Sequence, residues 1–384
     1  MTDLVPPTGR VHWIGAGLST GSGLRLLAEL HEVVLWARTV DRAERCLAKV
    51  GATASATPRA FDHDALSAAL RPGDVVVSML PATEHLALIR LCLDRSAHFA
   101  CSSYLSDDIA ALEPAAAERG LVILTEAGLD PGIDHLLAHR LVAEAGDVEG
   151  TAAFTSYCGG LPAVPNEFRY RFSWAPRSVL TALRTPARYV DHGQTVTVDH
   201  PWEATRAHSI GGEKFETYPN RDSVPFIERY RMRWPLETFV RGTVRLDGWL
   251  DAWADVFPVL ADDSRLDAVA ADLARTHPMT EEDLDRVILS VALRVSGEDG
   301  PRWSGEYLLD LTGDRTETAM ARTVSVTLAC GVVDVLTGAT TPGLHCAAED
   351  DETATRWLAF LGEHGVVCEF RSSDHVSSPG SAAG

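Results

Sequence analysis

Through its first 130 residues the chain alternates short apolar runs with amphipathic stretches, and no other feature narrows the possible folds as far. The runs at 11–14, 33–36, 74–80, 98–102 and 121–125, with a weaker one near 52–56, have strand length. The 74–80 run is almost continuously apolar, as a strand buried on both faces of a parallel sheet must be. Helical periodicity fills the intervals at 24–30, 40–50 and 83–94, and Ser106 and Asp107 offer capping groups for one more helix. This alternation predicts an α/β fold, a doubly wound parallel sheet of the Rossmann type over residues 1–130.

Such sheets bind ligands outside the carboxyl ends of their strands. Gly15-Ala16-Gly17 stands there after the first strand, where a glycine turn lets a pyrophosphate approach the helix N-terminus at Leu18, Ser19 and Thr20. Thr20 occupies the third position, with Gly21 and Gly23 just after, so the turn departs from GxGxxG. After the second strand comes Arg38-Thr39, where an NAD site presents Asp or Glu to the ribose hydroxyls. A guanidinium suits a 2′-phosphate instead, so the expected cofactor is NADP, with Thr39 as a second donor. Ser78, Leu80 and Pro81 follow a central strand, and Ser102, Ser103 and Tyr104 follow the next; both groups suit the nicotinamide end. Leu129-Asp130-Pro131 comes next, with Asp130 expected as an N-cap and Pro131 as the first residue of a helix running to about 145. His135 and His139 are four apart on that helix but lack a third ligand, and no metal site is expected.

After Asp130 the rhythm changes to Pro- and Gly-punctuated segments. Strands are expected at 195–198, 243–246, 287–295 and 305–311, the last two forming a hairpin, and helices at 250–260, 263–275 and 316–336. The second domain is therefore read as an α+β substrate and dimerisation domain built from 131–250 and 283–345, with 251–282 as a helical insertion. The segment 346–371 is expected to pack back on the Rossmann domain, and the Ser-, Gly- and Ala-rich 372–384 to be disordered.

A net charge of −20 with no basic stripe argues against nucleic acid. No run approaches the roughly 20 apolar residues of a membrane span, and 1–10 lacks the apolar core of a signal peptide, so no membrane and a cytoplasmic location are expected. Seven cysteines without a CxxC pair read as packed thiols. Lys49 and Lys214 are the only lysines, which leaves Schiff-base chemistry few candidates. Residues 151–250 hold twelve Arg and one Lys against ten Asp and Glu, a positive stretch in an acidic chain that points to a small anionic ligand.

Five blocks in order carry a resemblance: Ser102-Ser103-Tyr104-Leu105-Ser106, the run from Glu126 to His135, Ser156-Tyr157-Cys158-Gly159-Gly160-Leu161-Pro162, Tyr170-Arg171-Phe172-Ser173-Trp174, and Tyr218-Pro219-Asn220-Arg221-Asp222-Ser223. Across roughly 10–250 the chain resembles the saccharopine dehydrogenase family, its glutamate-forming saccharopine reductases above all. The resemblance implies an NADP-linked oxidoreductase of CH–NH groups, acting as a homodimer on small amino-acid and aldehyde substrates. It places acid–base roles on Tyr104, Asp130 and Cys158 and a carboxylate-binding arginine on Arg221. Ser103, Gly159, Arg171, Ser173 and Asn220 are implied as further contacts. Imine reduction needs a hydride donor and groups that pass protons while carbinolamine and imine interconvert, which these residue types supply. The segment 163–169 is shorter than its fungal counterpart, and beyond about 260 the resemblance fades. A carboxyspermidine-type imine reductase and a non-catalytic NADP-binding regulator are the alternatives.

Overall fold

The apolar runs of the first third become the strands of one wholly parallel sheet. The computed structural model describes residues 2–172, 176–280 and 282–374. In chain order its strands are β1 Arg10–Ile14, β2 Glu32–Ala37, β3 Ala56–Ala60, β4 Val75–Ser78, β5 His98–Cys101, β6 Val122–Thr125, β7 Thr151–Pro162, β8 Ala187–Asp191, β9 Gln194–Val198, β10 Arg206–Ile210, β11 Glu213–Pro219, β12 Leu236–Leu246, β13 Asp285–Gly297, β14 Gly300–Thr312, β15 Gly343–Cys346 and β16 Glu369–Asp374. Two units partition them. The first comprises the chain through Leu136, Thr280–Arg286 and Leu311–Val367; the second comprises Leu137–Met279, Val287–Asp310 and the chain from Cys368.

The first unit's sheet runs β15-β6-β5-β4-β1-β2-β3. The reversal of strand order between β1 and β4 opens the crevice where such sheets take their ligands. Val75, Val76 and Val77 of β4 are completely buried, which explains the continuous apolar run. Helices α1 (Ser22–Leu30) and α2 (Val40–Val50) follow the first two strands. The third strand begins at Ala56, later than expected, because 47–52 is used to end α2 on left-handed Gly51 (φ +76°). Sequence order places the helix Ala319–Leu336 in the second domain, but it packs on α1 and belongs to the first unit. This 18-residue helix is apolar enough to cross a membrane, yet 78% of it is buried within the protein.

The second unit is a mixed sheet, β10-β11-β12-β7-β13-β14-β16, with β8 pairing β12 and β9. Its two faces carry different cores. Tyr170, Tyr218, Trp249 and Trp253 pack on one, while Leu161, Phe215, Val244 and Leu246 pack on the other. The region 283–345 is thus divided between the units, as is 346–371. The sequence 343–346 adds a parallel strand beside β6, whereas β16 pairs antiparallel with β14 and takes in 372–374 of the expected tail.

Candidate functional site

The glycine turn after β1 fits a pyrophosphate. Gly15 has φ +118°, and a Cβ there would lie 3.0 Å from Cβ of Met79, so a side chain would jam β1 against the end of β4. At Gly17 a Cβ would meet no protein atom within 4 Å; it would project into a cavity of about 580 Å³ that Arg25, Arg42, Arg45 and Lys49 also line. Leu18 is exposed beside it. Thr20 does what a third glycine would not: its buried hydroxyl donates to Gly15 O at 3.0 Å and accepts from Trp13 Nε1 at 3.4 Å, tying the turn shut. Gly21 and Gly23 serve helix packing, since a Cβ at Gly23 would come within 1.9 Å of Ser325 O. Glu317 also accepts from Ser22 N at the start of α1 and pairs with Arg322.

Arg38 follows β2 directly, is exposed, and makes no ion pair or hydrogen bond among the described residues. Thr39 is the N-cap of α2, its oxygen accepting from Arg42 N at 3.2 Å, so its hydroxyl proton stays available to a ligand. Ser78 is buried at the end of β4 with Leu80 N bonded to its Oγ at 3.4 Å, and Leu80 O accepts from His85 at 3.1 Å, which fixes the Leu80-Pro81 turn.

Beyond β5 and β6 two loops are knitted together. Glu126 N donates to Ser103 O at 3.0 Å and Ala127 N to Cys101 O at 3.1 Å. Gly128 packs against Ser102, where a Cβ would lie 2.9 Å from the serine Cβ. Burial pushes the Cys101 thiol up to about 12, a packed and unreactive sulfur. The expectation for Asp130 and Pro131 needs correction: the helix begins at Ile133, the Asp130–Pro131 bond is cis, and Pro131 lies outside the helix. The carboxylate at the helix start is that of Asp134, which accepts from Gly132 N at 2.7 Å. Asp130 instead accepts from the Tyr104 hydroxyl at 2.7 Å, a half-buried pair between loops 26 residues apart. Behind this pair lie Glu126 and His135, each 1% exposed, with Glu126 Oε1 accepting from Leu105 N at 3.0 Å and Oε2 3.0 Å from His135 Nε2. Neither was singled out for this site on sequence; a carboxylate that bridges loops through backbone amides leaves no spacing signature. Leu129 is buried, and its carbonyl accepts from Asp134 N.

In the second unit, register places Cys158 of β7 opposite Thr243 of β12, and Thr243 opposite Tyr218 of β11, so the three share one face. Cys158 is 8% exposed. Gly159 is a packing residue, because a Cβ would meet Val244 O at 2.4 Å. Asn220 N donates to Arg241 O at 2.9 Å just past β11. Arg221 is exposed, has a left-handed backbone (φ +58°), and accepts at its carbonyl from Arg188 N. Arg171 donates to Pro278 O at 3.0 Å. Ser173 lies outside the described residues.

The same face holds a residue that sequence reading passed over. Arg245, two positions beyond Thr243, is 5% exposed and lies over the rings of Tyr170, Tyr218 and Trp249 at 5.0, 5.5 and 5.6 Å. Its cross-strand neighbour Glu216 is spent on Gly248 N and Leu250 N at 3.1 and 2.7 Å. No carboxylate among the described residues pairs with Arg245, and its Nε is buried without an acceptor. Its Nη1 donates to Val244 O at 3.0 Å and its face lies on the three rings, so its own strand and the aromatics satisfy part of the guanidinium while Nε stays buried without an acceptor.

Residues 11–124 match the saccharopine dehydrogenase NADP binding domain, and 128–366 match the saccharopine dehydrogenase C-terminal domain. The NADP-dependent, L-glutamate-forming saccharopine dehydrogenase of Pyricularia oryzae is 31% identical over 324 residues, 78% of this chain and 72% of that protein. The Schizosaccharomyces pombe counterpart is 34% identical over 245 residues, which span 54% of its length. The apo structure of the L-Glu-forming enzyme from Saccharomyces cerevisiae superposes with a TM-score of 0.80 at 25% identity, covering 95% of this chain and all (100%) of that one. A homospermidine synthase from Legionella pneumophila, solved with NAD, shares the fold at a TM-score of 0.64 and 11% identity. With both domain models matched in order, a glycine turn that fits a dinucleotide and a tyrosine–aspartate pair at the strand ends, this chain belongs to the saccharopine dehydrogenase family of NADP-dependent oxidoreductases that act on CH–NH groups.

Proposed function

We propose that the chain reduces the imine formed between the amino group of glutamate and aminoadipate semialdehyde, giving saccharopine, and runs the reverse oxidation. The 2.7 Å hydrogen bond between Tyr104 and Asp130, at the strand ends of the NADP-binding unit, carries the reading. Condensation of amine and aldehyde gives a carbinolamine, which must lose water to form the imine. Tyr104 donates the proton with which the carbinolamine hydroxyl departs as water, and Asp130 takes the N–H proton lost from the nitrogen and passes it along their hydrogen bond to the tyrosinate, so the pair is restored. Gly15, Gly17, Arg38 and Thr39 would hold NADPH, which when bound would supply the hydride chemistry. Cys158 is assigned the proton exchange with the product nitrogen, on the strength of its place in the face that also bears Thr243 and Tyr218.

Saccharopine carries three carboxylates, and Arg245 and Arg221 are assigned to them. The buried Arg245, whose Nε has no acceptor among the described residues, is the observation that disfavours a cationic polyamine as substrate. A homodimer is inferred from the family resemblance and is checked by sedimentation.

The test follows NADPH oxidation by the purified protein supplied with glutamate, aminoadipate semialdehyde, or both. Oxidation that requires both, with saccharopine as product, is the expected result. Oxidation with either alone, or equal turnover when a diamine replaces glutamate, would remove the proposal.

A further inference from the structure

We infer that Glu126 is a positioning residue that sets the Tyr104–Asp130 contact through a ring of hydrogen bonds, one His135–Asp134 ion contact and short backbone links, an assignment that rests on the imine-reductase reading. From Tyr104 the chain passes to Leu105, whose N–H donates to Glu126 Oε1 at 3.0 Å. Glu126 Oε2 lies 3.0 Å from His135 Nε2, and His135 Nδ1 lies 3.4 Å from Asp134 Oδ2. Asp134 Oδ1 then accepts from Gly132 N at 2.7 Å, two residues from Asp130. The Tyr104 hydroxyl on Asp130 Oδ1 closes the ring.

Several features separate this ring from ordinary core polarity. Three of its five side chains are essentially sealed, Glu126 and His135 at 1% exposure and Asp134 at 0%. Two buried carboxylates around one imidazole is an expensive way to fill a core, and apolar residues of similar volume would stabilise the fold at least as well. Glu126 also holds φ +58°, a conformation disfavoured for a residue with a Cβ and retained where the surroundings impose it. That backbone turns its N–H onto Ser103 O, so Glu126 grips the Tyr104 loop by its amide at one end and its carboxylate at the other. Both attachments fall within one residue of Tyr104, whereas the Asp134 end governs the loop of Asp130. The arrangement fixes the separation of the two proton-carrying groups, and that separation governs proton transfer.

Glu126→Ala should lower kcat by about 10- to 100-fold, the penalty for displacing a reacting group by roughly an ångström. NADPH affinity should change little, while the melting temperature falls, because Leu105 N and His135 lose a buried acceptor. Glu126→Gln keeps an oxygen for Leu105 N and an amide for His135, and should restore kcat to within about fivefold of the parent. In a Tyr104→Phe background Glu126→Ala should cost less than about twofold more, because the contact it positions is already gone. Parent kcat in Glu126→Ala, no rescue by Gln, or full additivity with Tyr104→Phe would overturn the inference. If Glu126→Ala does not fold, His135→Gln provides the same comparison, and parent kcat there overturns it equally. Parent kcat in Tyr104→Phe itself would instead sink the catalytic role of Tyr104, a failure distinct from that of the positioning inference.

Discussion

Replacing Arg38 by Ala isolates the cofactor preference from everything else in the site. The side chain is exposed just past the end of β2, so its removal should leave the fold intact. A hydrogen bond between two charged groups contributes about 1.5 to 3 kcal/mol. Solvent around an exposed guanidinium places this one toward the lower end, about 1.5 to 2 kcal/mol. At about 1.4 kcal/mol per decade, the dissociation constant of NADPH should rise roughly 10- to 30-fold. NADH has no 2′-phosphate, so its binding should stay within about twofold. Protein fluorescence titration with both nucleotides gives the ratio directly, and the NADPH effect should shrink as ionic strength rises. Arg42, which also lines the glycine-turn cavity, bonds to Ala16 O at 3.3 Å and is the control. Equal weakening of NADPH and NADH by Arg38→Ala, or discrimination that moves only in Arg42→Ala, would refute the assignment of the 2′-phosphate to Arg38.

Arg245→Met should raise the KM for glutamate or saccharopine about 10- to 100-fold with NADPH binding unchanged, while the melting temperature holds or rises, since no protein carboxylate loses a partner. Kinetics and thermal melts on the same preparation check both halves; unchanged KM would sink the role. Asp74 is buried, which alone would raise its pKa, but hydrogen bonds from His12 at 3.0 Å, Thr8 at 2.6 Å and Arg71 N at 3.0 Å hold it below the ordinary value. The stability from this lowered pKa is present above the unfolded value near 4 and is lost as pH falls below it. Melting curves between neutral pH and about pH 3 should therefore show a steeper acid decline in the parent than in Asp74→Asn; parallel declines would count against it.

What sequence could and could not reveal follows from the range of each interaction. The strands β1, β2 and β4 and helix α2 were legible because burial on both faces and 3.6-residue periodicity are local signals. The 319–336 helix was legible as buried, but not its address. A helix apolar on all sides does not say which sheet it covers, and the information lies in Gly21 and Gly23, whose missing side chains admit Ser325. Those glycines were read with the dinucleotide turn. Asp130 was read as a cap because Asp-Pro before an apolar run fits that pattern, whereas Asp134 holds the helix start. Tyr104, Asp130, Cys158 and Arg221 came from resemblance rather than from spacing. Arg245 was missed because its significance is a matter of absence: Glu216 stands opposite it and bonds elsewhere, which no linear pattern records.

The packing of the 319–336 helix on α1 bears on the order in which a ribosome delivers this protein. The glycine turn, Arg38 and Thr39 and the first six parallel strands have all emerged by residue 125, yet the helix that covers Gly21 and Gly23 and the strand that flanks β6 arrive only after most of the other unit has been translated. Until then α1 exposes the notch those glycines create. The nascent cofactor unit must wait, partly uncovered, while its neighbour is translated, and a chaperone that shields α1 during that interval should raise the yield of native protein more than one that acts on the finished chain.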